Sequence, residues 1–281
     1  MTSVRPLLAS AWMGIQHDIA WTNPVLSVAL RAVAPFASAM TVSIIYWFGS
    51  SNSAAGVFNP QYLAFVLIGS TLYAHVASYA WVPTQAIAEG KNLSVFPHIY
   101  ITSRSTAFYV AGRALSAFVI STITSVAALV VAYYVLQSFF GVQIPVSVTG
   151  SSALLFGVAL IANIPGALGL GYLLGAYSLY ASKFEWSLPG YVSGLLMVFS
   201  GALFPTTTLP WPLSVGAYYL PFTQFIAAAR EALLPGTSGS YAYPLALCVL
   251  GGLLLFAGSL LVYFAAEKKA RKDGVIDRRL A

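Results

Sequence analysis

Long apolar runs separated by short polar stretches dominate the chain. They fall at about 25–48 (or 30–48), 62–86, 107–136, 152–178, 188–204 and 244–264. A helix needs ~20 residues to cross the hydrocarbon of a bilayer; the run at 188–204 sits at the short end of that range. Ahead of the first run, Leu8, Trp12, Ile15 and Ile19 recur at helical spacing while Ser10, Gln16, His17 and Asp18 occupy other faces. That pattern predicts an amphipathic helix lying in the interface plane, with His17 and Asp18 on a solvated face. Asn23 and Pro24 end it and start the next helix. Between the fifth and sixth runs, residues 205–243 alternate proline with short apolar pieces, which predicts two short helices or a re-entrant hairpin at the membrane surface, covered by protein.

The pattern therefore predicts an all-α integral membrane protein with six transmembrane helices. Residues 1–23 form the interface helix, 24–264 the six-helix domain with short external helices at 205–242, and 265–281 a basic cytoplasmic tail. The third run is long enough to tilt or to project from the bilayer. The fourth is broken by Pro165 and carries Gly166, Gly169, Gly171 and Gly175, the last two at the spacing of close helix contacts. Arg31, at the start of the first run, can snorkel to the headgroups. His75 and Tyr79 lie one turn apart in the second run; an intramembrane histidine is either functional or hydrogen-bonded to a neighbouring helix.

Composition agrees with a membrane protein. Of 281 residues, 59% are hydrophobic and 7% charged, against roughly 25% charged in a soluble domain. The net charge of +6 does not point to nucleic acid, because six of the thirteen Lys and Arg residues stand in the last fourteen positions, where topology and anionic lipid account for them. Six crossings gather twelve of the thirteen on one side and leave Arg230 on the other. The excess of positive charge places that side, with both termini, in the cytoplasm of a multi-pass protein of the cell membrane. The N-terminus lacks the apolar core and cleavage site of a signal peptide. One cysteine, Cys248 within an apolar run, offers neither a disulfide nor a thiolate metal site.

The sequence holds no phosphate-cradling loop: Gly90-Lys91 is followed by Asn92 rather than Ser or Thr, and the upstream glycine is absent. It has no HExxH and no metal-spaced His, Cys and Asp cluster. Mid-span ionisable groups reduce nearly to His75, too few for coupling to an ion gradient. The conspicuous wet stretch is residues 88–113, AEGKNLSVFPHIYITSRSTAFYVAGR, with Glu89, Lys91, Arg104 and Arg113. A short amphipathic helix near Val95–Ser103 would either plug into a soluble partner or lie on lipid. Arg230 with Glu231 is the charged pair on the outer side, either a pin between external helices or a gate or headgroup contact.

Three features carry a resemblance to the membrane subunit of ABC-2 type transporters, the permeases of drug, lipid and polysaccharide exporters. These are the interface helix with six spans and two cytoplasmic ends, the stretch IAEGKNLSVFPHIYITSRS after the second span, and SGALFPTTTLPWPLSVGAYYLPFTQFIAAAREALLPG at residues 200–236. The resemblance implies a half-permease that forms a homodimer, or a heterodimer with a related permease, and binds two copies of a separate ATPase subunit. That subunit would carry ATP and Mg; this chain would hold no cofactor, no metal and no catalytic residue. The coupling loop at 88–105 would dock through Glu89, Gly90, Lys91, Asn92, Leu93, Phe96, Ser103 and Arg104. The first, second and fifth spans would line the path, making Tyr46, His75, Tyr79, Tyr191 and Phe204 candidates. Glycine-rich helix faces would suit the dimer interface. The exported molecule would be a drug-like or lipidic amphiphile, or a glycan. The competing reading is an intramembrane enzyme acting on a lipid or prenyl-linked substrate.

Overall fold

A computed structural model describes residues 5–19, 23–52, 58–92, 96–102, 105–180, 187–234 and 240–274. Among the described residues the fold is all-helical: α1 (Arg5–Ile19), α2 (Pro24–Asn52), α3 (Pro60–Asn92), α4 (Phe96–Thr102), α5 (Ala107–Phe140), α6 (Gly150–Ala162), α7 (Ile164–Tyr180), α8 (Ser187–Phe199), a 3-10 turn at Thr206–Thr208, α9 (Leu213–Tyr218), α10 (Pro221–Leu233) and α11 (Ala242–Lys272). Five segments are long and apolar enough to cross a membrane: α2, α3, α5, α6 with α7, and α11.

The expected fifth span departs from this. Its helix, α8, has 13 residues, about 20 Å at 1.5 Å per residue, short of the ~30 Å hydrocarbon core. The chain turns at Gly201, whose φ of 66° is left-handed and suits glycine, and Pro205 follows. The expected external helices are α9 and α10. The latter does not rest on the surface: Phe222, Phe225, Ile226, Ala229 and Leu233 are buried against α3, α6 and α11.

α3 is the axis of the fold. It packs on α2, α5, α7, α8 and α10, and Leu63, Leu67, Ile68, Leu72, Val76, Tyr79 and Ile87 are all but inaccessible. It also runs further than its apolar run, so that Glu89–Asn92 form its last turn rather than a loop. Likewise α11 carries the start of the basic tail as helix through Lys272.

Small residues set the helix spacing. α7 breaks from α6 at Asn163 rather than at Pro165, which falls in the first turn of α7, where its missing N–H costs nothing. A Cβ on Gly169 would lie 2.9 Å from the backbone of Phe256 in α11; one on Gly171 or Gly175 would press on Pro83 and Ala114 or on Val110 and Ile87. The glycine face of α7 is therefore consumed inside the subunit and is not available to a second copy.

α1 docks along α5 with its small face, Leu7, Ser10, Gly14 and Asp18, while Leu8, Trp12 and Met13 face outward. Asp18, expected in water, is buried. Arg113, expected in the wet stretch, belongs to the second turn of α5 and is covered by α1.

Candidate functional site

Where α2, α3 and α5 diverge they leave a lateral cavity of about 490 Å³. Its walls are Leu30 to Ser38 of α2, Tyr73 to Val82 of α3 and Ala117 to Ser125 of α5, and one end is closed by Asp18 and Arg31. Pro35 stands in the α2 wall and cannot donate to the carbonyl of Arg31, one turn earlier. Arg31 Nη2 donates to Asp18 Oδ1 at 3.0 Å and Nε donates to the Asp18 carbonyl at 3.1 Å; Ser27 Oγ donates to the same carbonyl at 2.9 Å. This clasp joins the C-terminal end of α1 to the start of α2. The Asp18 side chain is 10% exposed, that of Arg31 43%, so of the two the arginine is the more open at the cavity.

Behind the cavity wall runs a buried polar chain. Ser121 Oγ is 2.8 Å from His75 Nδ1, His75 Nε2 meets the Tyr79 hydroxyl, and Asn163 Nδ2 donates to that hydroxyl at 3.2 Å. Ser121 Oγ also donates to the Phe118 carbonyl at 3.1 Å. One proton arrangement serves all of them: Tyr79 donates to Nε2, the neutral ring donates from Nδ1 to Ser121, and Ser121 passes its own proton to Phe118. The chain ties α3, α5 and the α6–α7 break together at one depth. Asn163 Oδ1 stays buried without a partner. His75 and Tyr79 are thus 0% exposed and lie inside the wall, with the cavity-lining Ser121 on the His75 ring and Ser78 on the His75 carbonyl.

The expected coupling residues divide sharply. Glu89 is half-exposed, its Oε2 3.6 Å from His17 Nε2, so the tips of α1 and α3 touch. Gly90 is closed over by Phe96, whose Cβ would be 3.2 Å from an added methyl. Lys91 is buried; its Nζ donates to the Ser178 and Leu179 carbonyls at 2.7 and 2.9 Å, the last turn of α7. Phe96 is 0% exposed, packed with Ile87, Ala107 and Tyr109. Neither Lys91 nor Phe96 offers its side chain to a partner. Asn92 is exposed, and Ile101 of α4 is 78% exposed. Leu93, Ser103 and Arg104 lie outside the described residues.

No family model and no curated protein matches this chain. Its remaining candidates are read from geometry alone. Tyr46 hydrogen-bonds the Asn59 carbonyl at 3.3 Å and stacks near Tyr62; Tyr191 is exposed on α8, and Phe204 is half-buried after it. None of the three lines the cavity. Arg230 is a pin, though to backbone: Nε, Nη1 and Nη2 donate to Phe65, Gly201 and Ala202 carbonyls at 3.1, 2.8 and 2.7 Å, with the guanidinium 3.3 Å above the Phe65 ring. Its neighbour Glu231 is on the same helix, α10. Sequence reasoning missed the Asp18–Arg31 clasp. The signal was two opposite charges flanking the Asn23-Pro24 helix junction. Ser38, Trp81 and Ser125 gave no sequence signal.

Proposed function

We propose that this chain is the permease subunit of an ATP-driven ABC exporter, crossing the cell membrane six times with both termini cytoplasmic. Two copies, or one with a related permease, would form the path between two separate ATPase subunits that carry ATP and Mg. The observation that carries the reading is the lower end of α3. The most buried of the five span-length segments runs unbroken out of the core to Glu89–Asn92, touches α1 through His17, and is followed by the short helix α4, anchored by Phe96 and showing Ile101 outward. A force applied to α4 reaches the bundle axis directly, because Phe96 and Lys91 fasten this end to α5 and α7. That is the mechanical requirement for a soluble motor to drive a membrane path: its two states must differ in contacts with an element that moves the core. α8, too short alone, would complete its crossing with the chain that follows it as far as α10, the one of these short elements whose residues are mostly covered by protein.

The test is co-purification of the tagged chain with the ATPase encoded beside it. Ile101→Asp should lower recruitment while leaving thermal unfolding unchanged, since the side chain is 78% exposed. Equal recruitment by wild type and Ile101→Asp, or no ATPase recruited, would overturn the reading. Phe96→Ala is the wrong probe, because it opens a cavity in the core.

A further inference from the structure

We infer that the lateral cavity binds a single-chain anionic amphiphile, its carboxylate or phosphate head at Arg31 and its chain along α3 and α5. This rests on the exporter reading for its purpose, as the cargo of that path, and on the geometry alone for binding.

Charge comes first. Of the side chains around the cavity only Asp18 and Arg31 are charged. Asp18 is turned inward and occupied, and it takes Nε and Nη2 of the arginine. Nη1 donates to nothing among the described residues, and the guanidinium is held from behind by the Asp18 carboxylate and the Asp18 carbonyl, which Ser27 also meets. A planar donor fixed on one edge and open on the other fits a carboxylate or phosphate oxygen. The clasp stands at the junction of the interface helix and the first span, the depth at which anionic headgroups of the adjacent leaflet lie.

The walls select the rest of the molecule. They look polar in sequence, yet four of the six wall hydroxyls are spent on backbone carbonyls, and only those of Ser38 and Ser125 are not, among the described residues. Ser78 donates to the His75 carbonyl at 2.7 Å, Ser121 to Phe118, Thr124 to the Ser121 carbonyl at 3.2 Å, and Tyr73 to the Ser193 carbonyl at 3.0 Å. With those groups satisfied, their carbon faces and the alanines beside them present a surface that a methylene chain can cover at no hydrogen-bonding cost. The groove runs from Leu30 to Ser38, eight residues of helix or about 12 Å, and is walled by Ala74, Ala77 and Ala117 between the larger Tyr73, Trp81 and Ile120, so one chain fits along it. A glycan would find few open donors or acceptors here.

The probe is a diazirine-bearing palmitate, with the corresponding fatty alcohol as its neutral twin, crosslinked to the purified full chain in detergent and mapped by peptide mass spectrometry. The palmitate should label α2, α3 and α5 peptides that wall the cavity. Ala77→Phe, which fills it, should cut that labelling about tenfold by excluding apolar contact. Arg31→Gln should remove a preference for acid over alcohol of about fivefold, the size of a partly exposed ion pair. Asp18→Asn keeps the acceptors but removes the competing negative charge, and should strengthen that preference. The two clasp variants thus act in opposite directions; equal losses in both would mean a structural clasp and overturn the inference. So would labelling spread evenly over lipid-facing helices, or labelling indifferent to Ala77→Phe. The readout uses no ATPase, so the site can stand if the chain recruits none, and fall if it recruits one.

Discussion

Gly69 is the residue whose replacement tests the packing of this fold most severely. On α3 a Cβ there would lie 1.9 Å from the Ala202 carbonyl oxygen and 2.0 Å from Arg230 Nη2, the two atoms of the 2.7 Å bond that closes the Arg230 clasp. Contacts of a real Cβ begin near 3.0 Å, so either the 201–202 turn or α3 must retreat by about 1 Å. Retreat breaks one or both of the bonds from Nη1 and Nη2, each worth about 1.5–3 kcal/mol for a charged donor, and leaves a buried guanidinium short of acceptors. Against this, alanine returns about 1 kcal/mol of helix propensity. Gly69→Ala should therefore destabilise by about 0.5–5 kcal/mol net, according to whether one bond or both are lost. The assay is thermal unfolding in detergent followed by tryptophan fluorescence, with Gly157→Ala on α6 and Gly258→Ala on α11 as controls, because nothing stands within 4 Å of either added methyl. The controls should be neutral or stabilised. If Gly69→Ala unfolds at the same temperature as they do, the clasp does not hold the turn to α3, and the account of Arg230 fails.

Arg230→Lys keeps the charge but cannot span three carbonyls and the Phe65 ring, and should lose about 2–4 kcal/mol in the same unfolding assay; wild-type stability would refute the three-carbonyl geometry. Lys91→Met retains the apolar stem and removes the donors to Ser178 and Leu179, so the last turn of α7 should show faster amide hydrogen exchange, with a loss of about 2–4 kcal/mol. Glu267 accepts from the Thr106 amide, the Thr106 and Ser105 hydroxyls and Arg271; a glutamine cannot accept at both ends, so Glu267→Gln should cost about 1.5–3 kcal/mol and loosen the first turn of α5 by hydrogen exchange. Gly112→Leu places a Cβ 2.5 Å from Ser10 and 2.7 Å from the Ala11 amide; it should lift α1 from α5, seen as rapid exchange confined to Arg5–Ile19.

Much of this architecture was legible because apolar length is a strong signal in a lipid protein: the start of α5 follows from run length, and Pro165-Gly166 announced an interruption of the fourth run, though the break itself falls at Asn163. What misled was the meaning of polar residues. Glu89, Lys91 and Arg113 read as one wet island because charges usually seek water, yet a residue's neighbours across the bundle decide whether water is needed. Lys91 finds two carbonyls of α7, 87 and 88 residues away in sequence, and no local pattern announces them. The glycines of α7 carried the right signal, close approach, with the wrong partner, since spacing does not say whether the facing helix belongs to the same chain. The cavity was illegible for a similar reason: it lies between three helices whose small residues, such as Ala77 and Ala117, are ordinary in any span.

A common physical rule connects the buried charges. Helices that end inside low-dielectric surroundings leave carbonyl or amide groups that water cannot reach, and each such group costs several kcal/mol unless it is met. Lys91 meets the end of α7, Arg230 the turn after α8, Glu267 the start of α5, and Arg31 the Asp18 carbonyl at the end of α1. Each is a long side chain thrown from one helix to the frayed end of another, so the ends of the spans are fastened by charge while their middles are fastened by small apolar contacts. Arg113, with its Nε buried and unpartnered beneath α1, stands outside the rule. The consequence is mechanical: sliding a helix along its neighbour costs little in the middle and breaks an ionic cap at the end. Motion in this fold should therefore be concentrated where charged contacts are partly solvated, at Arg31 beside the cavity and at the His17–Glu89 contact, which join α1 to α2 and α3.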